Sequence, residues 1–387
     1  MHAASAGAIA LGGLLSLAVA MGIGRFAFTP MLPVMQADAG LTVEAGGWLA
    51  SANYAGYLIG ALAATRLHVA PMRAILPGLV AIAVTTLAMG FTNAFAEWAV
   101  WRTAAGIASA FVLVHISAWS VQRLAALERP ALGGVVFAGV GFGVAGAGLL
   151  CLAFVALGAT AAQLWLILGG VSVLVLVVIV AVLRSTAVAP GAQPATTTSS
   201  PQTSFTRDEW RLILCYGAYG FGYIIPATFL PVMARQVIPD PALFGWAWPL
   251  FGGAGTIATL LAARSSKPAQ ARRHWAISHG VMALGCAVAA LVHSFGAVLI
   301  AALAVGGTFI VITMYAVQEA RNVAGAHARP LIGAMTAAFA LGQIVGPLLV
   351  RGSAADGSQF GRPLLLATVA LLASGAFLAR RAKPQTS

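Results

Sequence analysis

Arg25 lies inside "GIGRFAFTPMLPVM", residues 22–35, in a long apolar run with no acidic residue nearby. A guanidinium in that setting can clamp a carboxylate with two parallel N–H donors. Arg102 opens "RTAAGIASA" only six residues into its apolar run. From there it could bind a ligand or snorkel back to an interface. His115 is read as the one side chain deep in a span whose ordinary pKa, about 6.5, lies near neutrality; it could move a proton or serve as a neutral hydrogen bonder. Tyr216, Tyr219 and Tyr223 recur at i, i+3 and i+7, which puts three phenols on one helical stripe. In lipid three phenols would sit in the headgroup belt, so a stripe running through a span suits a polar interior. Asn53 and Tyr57 share a helix face, and Thr29 and Gln343 add neutral polar groups; all four could touch a ligand or bond across helices. The expected binding set is therefore Arg25, Thr29, Asn53, Tyr57, Arg102, His115, Tyr219, Tyr223 and Gln343, with Tyr216 as an outlying member of the stripe.

Other chemistry finds little support. Cys151, Cys215 and Cys286 stand singly in apolar runs with no CxxC pair, as small core residues do. The histidines are dispersed, so no metal site is expected. There is no HExxH, GxSxG or GxxxxGK[ST], which argues against a hydrolase, a zinc protease and an ATP-driven pump. "GFGVAG", Gly141 to Gly146, formally matches a dinucleotide fingerprint, but it lies within an apolar span and no acid follows at the required distance. Gly139 with Gly143, and Gly342 with Gly346, read better as small-xxx-small faces that let helices approach closely. No cofactor is expected.

The elements that carry these residues follow from composition. The 387 residues are 60% hydrophobic and only 8% charged, with a mean hydropathy of +0.93. A helix needs roughly 20 apolar residues to cross the hydrocarbon core, and the apolar runs are continuous instead of alternating, so helices and not a barrel are expected. The chain reads as an all-α membrane protein with twelve transmembrane helices, over 8–35, 45–65, 74–93, 96–122, 131–157, 162–184, 210–234, 243–264, 275–294, 296–320, 329–350 and 363–380. A Ser/Thr/Pro/Ala-rich stretch divides them into a first six-helix half, 1–184, a linker, 185–209, and a second half, 210–387. Ala18-Val19-Ala20 resembles a leader cleavage site, but no Lys or Arg precedes the apolar run and the run continues to Met35, so no cleavage is expected.

Charge placement gives orientation. With loops taken in alternation, sixteen of the 21 basic residues fall on one side and three, Arg235, Arg351 and Arg362, on the other. The positive-inside rule then puts both termini and the linker in the cytoplasm. The formal net charge of +12 is accordingly a topology signal, and nucleic acid is not expected as a partner. The two remaining basic residues are Arg25 and Arg102, within spans, whereas all nine acidic residues fall outside span interiors. A charge near the bilayer centre costs about 2.5–3.5 kcal/mol on insertion scales. For Arg25 the compensating groups are backbone carbonyls near Pro30 and Pro33, tyrosine hydroxyls, cavity water or an anionic substrate. A structural pin and a substrate or coupling role both remain open.

A repeat relates the two halves. Shifting by 198 places "GIGRFAFTPMLPVM" over "GFGYIIPATFLPVM" at 220–233 and gives 12 identities in 45 ungapped positions, including Gly47-Trp48 on Gly245-Trp246 and Arg66 on Arg264. The same register pairs Arg25 with Tyr223. Pro33 and Pro231, in the shared Leu-Pro-Val-Met, are expected to end or bend their helices.

Twelve spans, a 6+6 parallel repeat and a polar central linker resemble the major facilitator superfamily over essentially the whole chain. "GIGRFAFTPMLPVM" and "GGWLASANYAGYLIGALAA" are similar to its bacterial YbfB/YjiJ-like subgroup. The resemblance implies a secondary transporter of the cytoplasmic membrane, with helices 1, 4, 7 and 10 lining a central cavity; Arg25, the tyrosine stripe and His115 belong to three of these. It also implies a small-molecule substrate, for which an organic anion is the candidate, protons as a candidate coupled ion, the lipid bilayer as surroundings, and a monomer. "RTAAGIASA" resembles the Arg-x-x-x-Gly signature of helix 4 in proton-coupled exporters. Two departures matter: Ala64 stands where the Gly-x-x-x-Asp-Arg motif has its aspartate, which argues against a gate held by that carboxylate, and "AGVGFGVAGAG" lacks the exporter proline while a Gly-Pro pair stands in "GQIVGP", Gly342 to Pro347, which leaves transport direction open. A membrane-embedded enzyme and a transporter-shaped receptor are the alternatives.

The charge bias is directly testable. Reporter fusions near Pro201 and after Arg381 should report as cytoplasmic and one near Asp38 as external; a cytoplasmic Asp38 fusion overturns the orientation.

Overall fold

The computed structural model describes residues 2–380 except 68, 185–204, 239, 266–267, 326–327 and 351–357. Most of the expected linker lies outside the described residues, as do Lys267, Arg351, Asp356, Arg381 and Lys383. The described residues form twelve long helices. Helix α1 runs from His2 to Ala39 in three pieces, His2–Leu17, a π-helical stretch Ala18–Phe26 and Phe28–Ala39. The rest of the first half is α2 (Val43–Arg66), α3 (Pro71–Phe91), α4 (Phe95–Ala126), α5 (Gly133–Ala156) and α6 (Ala161–Arg184). The second half is α7 (Arg207–Val237), α8 (Ala247–Ser265), α9 (Ala271–Leu291), α10 (Phe295–Ala324), α11 (Ala328–Leu348) and α12 (Ser358–Ala379). Ten of them are long and apolar enough to cross a membrane. The other two, α2 and α8, are equivalent under the 198-residue shift, and both lie where the halves meet.

Local chemistry explains several boundaries. Helix α7 starts at Arg207, ahead of the expected 210, because Thr206 and Glu209 form a capping box: the Thr206 hydroxyl accepts from Glu209 N and the Glu209 carboxylate accepts from Thr206 N. Pro33 and Pro231 do not end their helices, which run on to Ala39 and Val237. The backbone irregularity lies earlier, in the π-helical stretch. Pro30 has no N–H with which to close the ladder onto residue 25 or 26, and carbonyls of this stretch are left for other partners.

Small residues set the packing within each half. Gly139 and Gly143 of α5 lie against the carbonyls of Leu14 and Ala18 in α1, so close that a Cβ at either would collide with backbone. Gly342 of α11 meets the carbonyl of Gly217 and Gly346 meets the side chain of Ile224, both in α7. The two Gly-xxx-Gly pairs thus do equivalent work in the two halves. Between the halves, α2 packs on α11, α5 on α8, and Phe28–Ala39 of α1 on α7. The first two pairings exchange under the repeat and the third maps onto itself. The hydrogen bonds that tie the halves lie level with Arg25 or beyond it toward the Ala39 end: Thr29 Oγ1 to Ala227 O at 2.7 Å, Arg235 Nη1 to Pro33 O at 2.7 Å, Ser51 Oγ to Ile344 O at 2.9 Å, and the Tyr54 and Thr228 hydroxyls at 3.0 Å.

Two glycines of one helix separate these effects. Gly143→Ala should destabilise by about 1–3 kcal/mol through overpacking. Gly146→Ala, where a Cβ meets nothing within 4 Å, should be neutral or gain up to about 1 kcal/mol of helix propensity. Thermal unfolding of the purified variants measures both, and equal Tm values would contradict the close α1–α5 contact.

Candidate functional site

Two carbonyls near the end of the π-helical stretch accept from two of the expected binding residues. Arg102 donates from Nη2 to Arg25 O at 2.9 Å and from Nη1 to Gly24 O at 3.4 Å. Asn53 Nδ2 donates to Gly24 O at 3.3 Å and to Arg102 O at 2.8 Å. Gly56 and Gly106 let α2 and α4 come close enough for this, since each lies against a backbone carbonyl of the other helix, Thr103 O and Asn53 O. Arg102 does not snorkel. It is 2% exposed and turned inward, with its guanidinium 4.9 Å from the Phe28 ring centroid. Arg102 and Asn53 therefore hold the backbone that carries Arg25.

Arg25 has different company. Its Nη2 donates to the Tyr223 hydroxyl at 3.3 Å, and its guanidinium lies 4.1 Å from the ring centroid of Tyr57, 5.0 Å from that of Phe26 and 5.3 Å from that of Tyr54. Gln343 Nε2 also donates to the Tyr223 hydroxyl. Arg25 Nε and Gln343 Oε1 are buried without hydrogen-bond partners, as are Arg102 Nε and Asn53 Oδ1 on the carbonyl-bonded side of the cluster. The ion pairs of the described residues join Asp208 to Arg211 and Arg272, and Glu319 to Arg272; none involves Arg25. Ring faces and a phenol offset part of the burial of this charge, at about 0.5–2 kcal/mol per cation–π contact. The arrangement retains an unused donor aimed at no protein acceptor, which suits an anion.

The second half contributes an aromatic wall. Tyr223 lies nearly parallel to Phe309, with centroids 6.0 Å apart and planes at 9°, and to Phe339, at 5.7 Å and 8°. Tyr219 stacks on Tyr223 at 5.1 Å, and Tyr216 on Phe339 at 5.1 Å. Tyr219 donates to Phe309 O and Tyr216 to Thr313 Oγ1, so these two phenols are satisfied within their own half. Arg25, Tyr57, Tyr219, Tyr223 and Gln343 are thus brought together.

Thr29 and His115 stand apart from that cluster. Thr29 ties the halves through Ala227 O. His115 bonds Phe111 O of its own helix through Nδ1 at 2.8 Å and stacks on the Phe111 ring. His115 is also not the one histidine deep in a span. His279 of α9 is wholly buried, accepts from Trp275 Nε1 at 2.8 Å through Nε2, and pairs through Nδ1 with Ser374 Oγ at 3.0 Å. Because an indole only donates, Nε2 of His279 carries no proton and the ring is held as the neutral Nδ1–H tautomer. Sequence reasoning also missed Tyr54, Phe26, Phe309 and Phe339 around Arg25. Tyr54, three residues before Tyr57, was signalled by spacing; the phenylalanines were not, in a chain this apolar. No group of His, Cys, Asp and Glu able to hold a metal occurs among the described residues.

Arg25 and Tyr223 are 198 residues apart, and so are Thr29 and Ala227. Residues equivalent under a two-fold repeat can touch only at its axis. The 198-residue register thus brings two of its equivalent pairs into contact where α1 meets α7.

A family model described as "Uncharacterised MFS-type transporter YbfB" matches residues 17–379. Among curated proteins, the "Uncharacterized MFS-type transporter YceJ" of Bacillus subtilis (strain 168) is 31% identical over 103 residues, 26% of this chain and 26% of that protein. The aligned part thus spans about a quarter of that relative's length.

The two buried arginines should respond oppositely to removal. Arg102→Ala strips the Arg25 carbonyl of its Arg102 donor and leaves Gly24 O with Asn53 alone, at about 1–3 kcal/mol for a group left unsatisfied. Arg25→Ala gives up roughly 0.5–2 kcal/mol of cation–π contact but relieves about 2.5–3.5 kcal/mol of charge burial. In the absence of ligand, Arg102→Ala should lower Tm by several degrees and Arg25→Ala should leave it level or higher; the reverse order would make Arg25 the structural pin.

Proposed function

The chain belongs to the YbfB-type family of major facilitator transporters, and from that premise we propose that it is a secondary active transporter moving a small organic anion by alternating access, with Arg25 as the anion-binding group. One observation carries this reading: a fully buried guanidinium with no carboxylate partner, whose one side-chain hydrogen bond is to a phenol of the other half and whose Nε is unpartnered, sits where the two halves meet. A permanent charge there destabilises the empty protein and is neutralised when an anion binds. The pin role that Arg25 could have filled belongs to Arg102 and Asn53, whose donors already hold the Gly24 and Arg25 carbonyls. That division supports leaving Arg25 to substrate.

The moving parts are the halves 1–184 and 210–387, joined by the 185–209 linker. With both termini in the cytoplasm of a bacterial inner membrane, as the basic residues argue, the Ala39 end of α1 is external. Thr29–Ala227, Arg235–Pro33 and Ser51–Ile344 then form a seal on the external side, and the conformation described is closed outward. Transport requires these bonds to break as the halves rock. Protons are the candidate coupled ion. His115, whose Nδ1 is engaged by Phe111 O, presents Nε2 as the site that would carry them. A monomer suffices, since the site is built within one chain.

Uptake or exchange by reconstituted proteoliposomes tests the assignment. Arg25→Ala should lower anion transport at least about 30-fold, the scale of unpairing a buried charge. Arg25→Lys should recover part of it, because lysine keeps the charge but loses the planar fork. Normal anion transport by folded Arg25→Ala protein removes Arg25 from the site, and a neutral or cationic substrate overturns the anion assignment.

A further inference from the structure

Resting on the assignment of Arg25 as the anion-binding group, we propose that the substrate class is a planar aromatic monocarboxylate: one negative charge carried on an aromatic ring. The charge count comes first. Of the two arginines within the spans, Arg102 directs its Nη donors to the backbone carbonyls of Gly24 and Arg25, which leaves Arg25 as the one guanidinium whose terminal donors are not committed to backbone. Gln343 and the tyrosines around it are neutral. A dicarboxylate or a phosphate dianion would bring a second charge for which the other buried cation, Arg102, has no free Nη donor, and burying a charge without such hydrogen bonds is costly.

The body of the ligand follows from the surfaces around the guanidinium. On the first half these are the rings of Tyr57, Phe26 and Tyr54, and on the second half Tyr223 with its flanking Phe309 and Phe339. A two-carbon acid would leave these surfaces uncovered when the halves part. A flat ring covers them in offset or edge-to-face contacts, each worth a few-fold in affinity beyond the area buried.

Tyr223 itself is a stand-in for such a ligand. It is a benzene ring lying almost parallel to two phenylalanine rings, and it presents one oxygen to both Arg25 Nη2 and the Gln343 amide. An aromatic carboxylate offers the same ring with two oxygens, and the second answers Arg25 Nε, which is buried without a partner. Phe309 and Phe339 lie on α10 and α11, in the same half as Tyr223. When the halves separate, Tyr223 leaves with them, and the carboxylate takes over its contact on Arg25.

Thermal-shift titration of the purified full-length chain with four acids tests this, since a ligand of the folded state raises Tm with concentration. Benzoate should half-saturate at a concentration at least about tenfold below acetate and succinate, and roughly threefold to tenfold below cyclohexanecarboxylate, which matches it in charge and size but is not flat. Phe339→Leu should narrow the ratio of benzoate to cyclohexanecarboxylate. Equal binding of those two overturns recognition of an aromatic ring. Acetate or succinate binding as tightly as benzoate, with Arg25→Lys weakening all of them, overturns the aromatic class while the anion site at Arg25 stands. If none of the four raises Tm in the wild-type protein, this proposal and the anion reading beneath it both fall.

Discussion

A guanidinium buried in the middle of a membrane-spanning helix, with no carboxylate to pair with, is the constraint on which the centre of this molecule depends. The chain holds a second buried guanidinium, Arg102, which bonds the Arg25 carbonyl, and treats the two differently. Arg102 has both terminal nitrogens on carbonyls near the end of the π-helical stretch of α1. Arg25 is surrounded by ring faces and one phenol, which ease the charge without consuming all of its donors. The first solution commits both terminal nitrogens to backbone and is structural, with only Nε left over. The second leaves a binding capacity unfilled, and a membrane interior makes unfilled capacity of that kind expensive unless something comes to occupy it.

The helices serve this arrangement through very small side chains. Gly56 and Gly106 bring α2 and α4 together so that Asn53 and Arg102 reach α1, and Gly139 and Gly143 seat α5 against the same helix. With no hydrophobic driving force between helices in lipid, close backbone approach supplies the packing that positions the polar groups. Function and packing are therefore linked at single residues: a methyl group added behind α1 displaces the helix that aims Arg25.

Much of the fold was legible because membranes demand long apolar helices and because duplication left 198-residue register in plain sight. That register also paired Arg25 with Tyr223 before any geometry was known. Asn53 and Arg102 were picked out as polar groups in apolar surroundings, but their targets are backbone carbonyls. Which carbonyls leave the ladder depends on a π-helical stretch that no side-chain pattern spells out. Phe309 and Phe339 were invisible for a different reason. Eighteen phenylalanines occur in the chain, and an apolar ring beside the site looks the same in sequence as one facing lipid. His279 was passed over because its partners, Trp275 on the same helix and Ser374 on α12, become a network only once α9 and α12 are packed together.

The Arg25–Tyr223 contact bears on how a duplicated chain could come to work at all. In an ancestor with identical halves, the residue at position 25 would have met its own copy across the axis. Two arginines there would repel at hydrogen-bond distance in a medium that screens poorly, and two tyrosines would leave the centre without charge. Positions away from the axis can keep the same residue in both halves, as Gly47 and Gly245 or Arg66 and Arg264 do. On the axis, a charged centre and strict symmetry are incompatible. A single chain carrying both halves can place a cation in one and a ring and oxygen in the other, so the asymmetry of this pair is a condition of a charged centre.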